Sequence, residues 1–327
     1  MIASLEHAGL LNSGDQVHFE ELTGGVSSDI WKVETPARTF CVKRALAKLK
    51  VAADWQAPVE RNAFEVAWYR IAHDIAPDAV PEILYHDKQE MLCAMTYLDP
   101  AQHLLWKNEL RDGHAAPEVA AEVGRRLARI HAATASNPSV SDQFPANDIF
   151  HAIRLEPYLE ATAPAHPDLH DQLFALSKRT GSIRIAMIHG DVSPKNILLG
   201  PKGPVFLDAE CACMGDPAFD LAFCLNHLLL KCLWNPSASA DFLRCFETLS
   251  DGYFKGVDWE LVETLEERVA SLLPALFLAR VDGKSPAEYI TTDTAREHIR
   301  NCARPLIKSP PKRLSEVVTA WKKELLS

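Results

Sequence analysis

The sequence lacks a surplus of basic residues. Its 327 residues include 34 Lys and Arg against 44 Asp and Glu, so the formal net charge is −10. Proteins that bind nucleic acid or anionic membranes through a broad electrostatic surface carry the opposite balance. We therefore expect no nucleic-acid partner. The acidic balance is typical of soluble enzymes and leaves a cationic substrate open.

Long uncharged apolar runs are also missing. The run at 218–234 is interrupted by polar residues such as Asp220, and the run at 269–281 is too short to cross a bilayer. The N-terminal segment has Glu6 and His7 inside its apolar patch and no basic leader. We expect core helices, no signal peptide, no membrane partner and a cytoplasmic location.

The eight cysteines include no Cys-x-x-Cys pair. Cys211 and Cys213 stand two residues apart without the further ligands that a zinc site needs. Most of the cysteines lie in apolar contexts, where the side chain packs as a small hydrophobe. The pattern indicates packed thiols in a reducing compartment.

The first hundred residues read mainly as β-strands. Alternating apolar and β-branched residues over 17–45 are broken by two turns, and a helical pattern covers about 60–73. Two further strands are predicted at 80–87 and 91–98, before the turn that Asp99 begins.

Beyond residue 100 the pattern becomes helical. The stretch 117–134 has apolar residues at helical spacing, whereas 136–170 is polar and contains prolines, and reads as a loop with one short helix. Further helical patterns cover 171–179, 218–234, 238–250, 258–280 and 313–325. The shift in composition predicts two lobes, 1–98 and 99–327.

The most informative stretch is HGDVSPKNILLGPKGPVFLDAE, residues 189–210. Asp191 and Asn196 lie in a polar loop between two short apolar strands, and Asp208 follows a third strand. One carboxylate can orient a hydroxyl nucleophile, while an amide and one or two carboxylates can hold Mg²⁺ on the phosphates of ATP. The layout predicts phosphoryl transfer, with Asp191 as the base or orienting group. Glu210 is either a second metal carboxylate or an exposed residue.

Neighbouring residues are expected to support this loop. His189 is expected to brace it through hydrogen bonds to the backbone. Lys195 either approaches the phosphates or is a solvated loop charge. Asp216 before Pro217 predicts a helix start, and we expect Asp220, in the first turn, to accept backbone N–H groups of the loop as structural support.

The N-terminal strands supply the other half of a phosphate site. A Gly-rich turn with hydroxyls can cover phosphates through its backbone N–H groups. In LTGGVSSDIW the candidates are Gly24, Gly25, Ser27 and Ser28.

A lysine on the third strand completes that half. Lys43 in FCVKRA can reach the phosphates if a helical carboxylate holds it, with Glu65 as first choice and Glu60 as the alternative. The segment 95–98 would join the lobes and offer backbone groups to adenine, so Met95 and Tyr97 are further ATP candidates.

Together these motifs resemble the aminoglycoside phosphotransferase superfamily, which includes choline, methylthioribose and homoserine kinases. HGDVSPKN resembles its H-G-D-x-x-x-x-N catalytic loop, and LDAECACMGDPAFDLA resembles the metal-binding element that follows. The resemblance implies a bilobal protein-kinase-like α+β fold, with a small antiparallel-sheet N-lobe and a larger helical C-lobe around ATP. It implies Asp191 as catalytic base and Lys43 as the phosphate-binding lysine. It also implies Asn196 and Asp208 as Mg²⁺ ligands.

Within the superfamily, ERNAFEVAWYRIAHDIAPDAVPEILYHD and MTYLDP look most like methylthioribose kinases, whose D-x-E element also favours Glu210 as a ligand. Two features differ from that subgroup, Asn196 in the catalytic loop and the turn TGGVSSD, and both resemble the aminoglycoside and choline type. The acceptor is thus a hydroxyl of a sugar, amino alcohol or related metabolite. The alternative is an aminoglycoside or macrolide antibiotic.

Acceptor residues are expected in the helical lobe. The candidates are Arg280, Trp234, Arg154, Trp106 and His151. Arg280, at the end of an apolar helix, either meets an anionic substrate group, pairs with Asp282, or satisfies helix carbonyls. Trp234 either caps the pocket or packs.

Two other functions compete with a small-molecule kinase. A nucleotide-binding regulator without catalysis would be favoured by loss of a site residue, but Lys43, Asp191, Asn196 and Asp208 are all present. A protein kinase would need D-F-G and A-P-E segments, and neither occurs. The sequence leaves monomer and homodimer equally open.

Overall fold

The computed structural model describes residues 1–22, 28–46 and 58–327. Its N-lobe is built on an antiparallel sheet with the strand order β1-β2-β3-β5-β4. The strands are β1 (His18–Glu21), β2 (Ser28–Glu34), β3 (Thr39–Ala45), β4 (Ile83–Asp87) and β5 (Leu92–Thr96). The predicted strands are therefore present, and α1 (Ile2–His7) and α2 (Arg61–Ile75) accompany them.

Helix α2 lies between the sheet and the rest of the protein. It buries Val66, Trp68, Tyr69 and Ala72 at helical spacing, so the helix predicted over 60–73 is present. On the same helix Glu65 is only 1% exposed, which is unusual for a carboxylate and requires a partner.

The C-lobe is mainly helical, which confirms the predicted bilobal α+β fold. Its helices are α3 (Trp106–Arg111), α4 (Pro117–Thr134), α5 (Pro138–Ser141), α6 (Asp148–Phe150), α7 (His170–Ser182), α8 (Pro217–Trp234), α9 (Ser239–Phe254), α10 (Val262–Asp282), α11 (Asp293–Lys308) and α12 (Leu314–Leu325). Its short strands are β6 (Leu104–Leu105), β7 (Ala186–Ile188), β8 (Ile197–Gly200), β9 (Gly203–Phe206) and β10 (Cys213–Gly215). The division between residues 98 and 99 follows β5 and stays a prediction.

These short strands fix the polar loop of residues 189–196 at both ends. Strand β7 pairs with β10, and β8 forms a hairpin with β9 and also pairs with β6. Gly190 within the loop has φ +76°, and a Cβ there would lie 2.7 Å from the Cβ of Cys211. Glycine is therefore required both by the backbone conformation and by the close approach of the next segment.

The stretch 136–170 differs from the predicted loop with one short helix. Residues His151–Glu160 form a π-helix that contains Pro157 and buries Ile153, Leu155 and Leu159. Proline lacks the N–H of a regular α-helical ladder, and π-helical turns are often found at functional sites. The π-helix places Arg154 beside the polar loop.

Helix α11 (Asp293–Lys308) was also missed. It is highly charged, and its buried residues are confined to Ile299, Cys302, Ala303 and Ile307. These four residues stand at i, i+3, i+4 and i+8, so the helical period is present in the sequence even though charged residues fill the rest of the segment. Among the described residues, no helix combines the length and the apolar character that crossing a membrane requires.

Candidate active site

A buried lysine joins the two lobes. Lys43, in the middle of β3, places its Nζ 2.6 Å from Glu65 Oε1 and 2.6 Å from Asp208 Oδ1. Glu65 is the carboxylate that the sequence analysis preferred to Glu60. Burial alone would lower the pKa of Lys43, but the charges of Asp208 and Glu65 raise it well above its ordinary value. The ammonium therefore stays charged.

Asp208 is held in an unusual backbone conformation at the end of the β8–β9 hairpin. Its φ is +66°, a sparsely populated region for a residue other than glycine. Its N–H donates to the hydroxyl of Tyr69 over 2.7 Å. Burial would raise the pKa of Asp208, but Lys43 and then Lys195 outweigh it and keep the pKa low. The carboxylate is thus ionised and fixed in direction.

The two carboxylate oxygens of Asp191 have opposite environments. Three groups contact Oδ2: Arg154 Nη2 at 2.7 Å, Asn196 Nδ2 at 2.8 Å and Lys195 Nζ at 3.2 Å. The other oxygen, Oδ1, is buried and has no hydrogen-bond partner among the described residues. Burial would raise the pKa of Asp191, but Arg154 and Lys195 lower it below its ordinary value. Asp191 is therefore an ionised carboxylate with one oxygen free to accept a hydrogen bond.

Asp220 holds the loop that carries Asp191 in place. Its two carboxylate oxygens accept the backbone N–H groups of His189 at 2.7 Å and Gly190 at 2.8 Å. His131 Nε2 lies 3.2 Å from the same side chain and supplies a further contact. Asp220 is fully buried at the start of α8, so the loop is tied to a core helix.

His189 links the loop to the strand that precedes Asp208. Its Nδ1 accepts the N–H of Asp191 at 3.1 Å, and its Nε2 lies 3.0 Å from the carbonyl oxygen of Leu207. Burial lowers the pKa of His189, so the ring is neutral. Because Nδ1 accepts a hydrogen bond, the ring proton is on Nε2. The ring therefore links the N–H of Asp191 to the carbonyl group that directly precedes Asp208.

The predicted metal ligands are Asn196, Asp208 and Glu210. Asn196 donates through Nδ2 to Asp191, which leaves its amide oxygen free, and Asp208 keeps about a third of its side chain exposed. Glu210 lies 2.9 Å from the guanidinium of Arg61, so its place as a third ligand stays a prediction. Free amide and carboxylate oxygens are the donor set that Mg²⁺ prefers, and these residues fit that ion. Within the described ranges, His, Cys, Asp and Glu alone form no cluster of three suited to a metal.

A cavity of about 160 Å³ lies beside Asp191, and Lys43 is not among its lining residues. It is lined by Lys107, Tyr158, Asp191, Pro194, Lys195, Phe223, His227, Lys231, Arg280, Ser285, Pro286, Glu288 and Tyr289. Arg280, a predicted acceptor residue, is among them. Trp234 stands behind the wall, stacked on Tyr289 with ring centroids 4.3 Å apart.

Several expectations about acceptor residues need correction. Arg280 does not pair with Asp282, which is bound instead by Arg300 and His166. His151 is bonded to Glu160. Trp106 is buried in the core and is absent from the cavity wall. Arg154 contacts Asp191 rather than the cavity.

Other residues were predicted for the nucleotide side. Gly24, Gly25 and Ser27 lie outside the described residues. Ser28 is the buried first residue of β2. Met95 lies in β5, opposite Cys41 of β3, and Tyr97 follows that strand. The ring of Tyr97 lies 5.3 Å from the ammonium of Lys32.

The cavity wall also contains residues that are absent from the predicted set: Lys107, His227, Lys231 and Tyr289. Lys231 left a readable signal, because it is a lone lysine near the end of the apolar run AFDLAFCLNHLLLKCLW. A lysine that is 1% exposed inside such a helix demands an explanation. The others come from separate segments, and no local spacing connects them.

Comparison with known proteins shows the family to which the chain belongs. Residues 18–259 match the family model described as the phosphotransferase enzyme family, which covers most of the chain. The chain belongs to that family. The matched region contains Lys43, Asp191 and Asp208, and it ends before Arg280 and Tyr289.

Curated relatives lie at moderate distance. The methylthioribose kinase of Escherichia coli O45:K1 (strain S88 / ExPEC) is 26% identical over 68% of this chain and 60% of its own length. The methylthioribose kinase of Pectobacterium atrosepticum is 24% identical over 69% of this chain and 63% of its own length. The chain thus spans about 60% of the length of these relatives. A choline/ethanolamine kinase family protein from Mesorhizobium loti has the same fold, with a TM-score of 0.50, 15% identity and full coverage of both chains.

Proposed function

We propose that this family member is an ATP- and Mg²⁺-dependent kinase that transfers the γ-phosphoryl group to a hydroxyl of a small molecule. The bond that forms joins the acceptor oxygen to the γ-phosphorus, and the bond that breaks leads to the ADP oxygen. The observation that carries the proposal is the free Oδ1 of Asp191. Asp191 belongs to the wall of the cavity, while Lys43, outside that wall, is held by Asp208.

Asp191 acts on the acceptor hydroxyl. Its Oδ1 accepts the hydroxyl hydrogen bond, while Arg154, Asn196 and Lys195 hold Oδ2 and fix the direction of the carboxylate. Because its pKa is lowered, Asp191 is a weak base that orients the hydroxyl and receives its proton late. That role suits phosphoryl transfer, whose transition state is loose and needs positioning more than strong base catalysis.

The nucleotide side is prepared for phosphates and a metal. Lys43, held by Glu65 and Asp208, supplies a fixed cation for phosphate oxygens. Asp208 and Asn196 would hold Mg²⁺, with Glu210 as the third ligand once it is released from Arg61. The metal, when bound, neutralises charge on the phosphate oxygens.

We also propose the division of labour between the lobes. Residues 1–98 bind ATP, with Met95 and Tyr97 at the adenine end, and 99–327 carry the catalytic loop and the acceptor cavity. A cytoplasmic location agrees with eight cysteines that are all free thiols.

The test is ADP release in the presence of Mg²⁺ and a panel of hydroxyl compounds, for the wild type and Asp191→Asn. Loss of the orienting carboxylate should lower kcat by about 10²- to 10⁴-fold. Asp171→Asn is the matched control, because that side chain is 99% exposed on α7. Turnover that survives Asp191→Asn unchanged would contradict the mechanism. Binding of ATP with Mg²⁺ but no turnover on any acceptor would indicate a nucleotide-binding regulator.

A further inference from the structure

The acceptor cavity carries an unbalanced positive charge. Four cationic side chains line it, together with two carboxylates, Asp191 and Glu288. Both carboxylates are already neutralised, Asp191 by Arg154 and Lys195 and Glu288 by Lys107. The cations that remain without a carboxylate among the described residues are Lys231 and Arg280, since neither forms an ion pair there.

Lys231 is an unusual residue to bury. It is 1% exposed on α8, and its ammonium makes no hydrogen bond or ion pair in the described part of the chain. Its Nζ lies 3.8 Å from the ring centroid of Trp234 and 4.1 Å from that of Tyr289. Cation–π contacts compensate only part of the loss of hydration. A desolvated ammonium without a counter-ion is costly, and an anionic ligand would relieve that cost.

Arg280 approaches the same cavity from α10. It is 7% exposed, and its Nη1 donates to the hydroxyls of Tyr158 at 3.2 Å and Ser285 at 3.1 Å and to the Ser285 carbonyl. Its Nε is buried and makes no hydrogen bond. The guanidinium is thus oriented by neutral groups and keeps its charge for another partner.

Two neutral groups of the wall are also unsatisfied. The Nε2 of His227 and the hydroxyl of Tyr289 are buried and have no hydrogen-bond partner among the described residues. Buried polar atoms are nearly always paired, so several unpaired atoms around one cavity indicate a ligand that pairs with them. Together with Lys231 and the Nε of Arg280, the unsatisfied groups of the wall are mainly hydrogen-bond donors. This favours a ligand group that is rich in hydrogen-bond acceptors.

The size of the cavity limits what it encloses. A volume of about 160 Å³ is close to that of a cavity that holds one benzene molecule. The enclosed part of the substrate therefore has on the order of six to ten non-hydrogen atoms. That is the scale of a short hydroxylated chain or one sugar ring.

We infer that the phosphate acceptor of this chain is a small hydroxyl compound with an anionic group, a carboxylate or a phosphate, that binds between Lys231 and Arg280. The inference rests on the proposed kinase function for the hydroxyl that faces Asp191. It excludes cationic acceptors such as choline or aminoglycosides, because two unpaired cations in a small cavity would repel them. It also separates the chain from kinases of neutral methylthioribose.

The test compares acceptors that share a hydroxylated carbon skeleton and differ in the charge of one substituent. One series is glycerol, 3-aminopropane-1,2-diol, glycerate and glycerol 3-phosphate, and the second is glucose, glucosamine, gluconate and glucose 6-phosphate. ADP release is measured with ATP and Mg²⁺, and binding of the same compounds without ATP is measured by calorimetry. We expect the anionic members to have the highest kcat/KM, by at least about tenfold, the worth of one charge-assisted hydrogen bond. The carboxylate and phosphate arms decide which anion is used.

Two variants locate the effect. Lys231→Met and Arg280→Gln should each lower kcat/KM for the anionic acceptor by about ten- to hundredfold and lower it much less for a neutral acceptor. Lys231→Arg keeps the charge and should retain most of the preference. Lys178→Met, an exposed lysine on α7, is the control and should change nothing.

The outcomes separate this inference from the proposed function. If a neutral or cationic member is preferred, the kinase function stands and the inference is wrong. If no compound is phosphorylated but the anions bind and Lys231→Met abolishes that binding, the anion site between Lys231 and Arg280 is supported and the kinase function is contradicted. If none of the four anions binds or reacts, the inference is overturned.

Discussion

The two halves of the site balance charge in opposite ways. In the nucleotide half, the cations Lys43 and Arg61 each contact a carboxylate of the chain, and Lys43 contacts two. In the acceptor half, Lys231 and Arg280 have no carboxylate partner within the described residues. A half whose cations are neutralised by carboxylates of the chain can form without a ligand. A half whose cations lack carboxylate partners keeps positive charge that a substrate can neutralise. The same residue type, a buried lysine, therefore has different consequences in the two halves.

The largest expected effect comes from removing the compensated lysine. Lys43→Met leaves Glu65 and Asp208 facing each other without their shared cation, and loss of one partner of a buried ion pair typically lowers the free energy of unfolding by about 3–5 kcal/mol. Activity should fall with it, because the phosphate-binding charge is gone. Urea unfolding followed by circular dichroism measures the stability, with Lys178→Met as control. Unchanged stability would show that the contacts to Lys43 are not energetically coupled.

The second effect lies at the border between the halves, where Arg154 acts as a positioning residue. Arg154→Met removes one of three contacts to Asp191 Oδ2, so kcat should fall by about ten- to hundredfold, as for the loss of one charge-assisted hydrogen bond. Because Arg154 helps to lower the pKa of Asp191, its removal raises that pKa. The acidic limb of the kcat–pH profile should then move to higher pH.

A structural defect alone would lower kcat without moving that limb. Arg154→Lys is the matched variant, because it restores a charge without the guanidinium geometry, and it should bring the limb back toward its wild-type position. A limb that stays fixed in Arg154→Met would mean that Asp191 is not the titrating group.

The limits of prediction from the sequence follow the same division between the two halves of the site. The sequence predicts Asp191, Asn196 and Asp208 because one loop and one hairpin carry them within 20 residues, and Glu65 because a strand lysine needs a helical acid. Lys107, Lys231 and Tyr289 come from α3, α8 and the segment after α10, and only tertiary packing brings them together. Local spacing predicts local geometry, whereas a cavity between distant helices leaves no periodic pattern.

The fold shows the same limit. Helices with regular apolar spacing were predicted to within a few residues at each end, and α4 (Pro117–Thr134) to the residue. The π-helix (His151–Glu160) was not, because Pro157 and irregular apolar spacing read as a loop. The net charge of −10 left a cationic acceptor open, yet the cavity is positive. Global composition describes the surface and carries no information on one buried wall.

The third prediction sharpens the contrast between the two lysines. Burial first, and then the charge of Lys107, lowers the pKa of Lys231 to about 7. The folded pKa lies below the unfolded value, so keeping the ammonium charged in the folded protein lowers stability fully below pH 7. This penalty shrinks as the pH rises towards the unfolded pKa of 10.5.

Lys231→Met should therefore raise the free energy of unfolding by about 1–3 kcal/mol at pH 6 and by less at pH 9. Urea unfolding at both values measures this, and Lys178→Met should show no such gain. A variant that is more stable but weaker on the acceptor would mark Lys231 as functional rather than structural. Destabilisation at pH 6 would mean that the cation–π contacts with Trp234 and Tyr289 outweigh the burial of the charge.

The smallest expected effect is the pH dependence of acceptor binding. The charged and titratable groups around Lys231 are Lys107 on α3, Arg280 on α10, His227 on its own helix, Asp191 and Lys195 on the catalytic loop, and Glu288 and Tyr289 after α10. Burial lowers the pKa of His227 well below its ordinary value, and the pKa of Tyr289 is raised to a value far above neutrality, so neither changes charge between pH 6 and 8.

Lys231 is the group of this set that titrates in that interval. The pKa of Asp191 is lowered, that of Glu288 is also lowered, and Lys195 keeps a raised pKa beside Asp191. An anionic acceptor prefers the protonated form of Lys231, so its KM should rise by up to about tenfold from pH 6 to pH 8 as the ammonium loses its proton. The measurement is KM for glycerate or gluconate against pH at saturating ATP. In Lys231→Arg the guanidinium stays charged and the rise should disappear. A pH dependence that persists unchanged in that variant would place the titrating group elsewhere and remove the free-charge role assigned to the acceptor half.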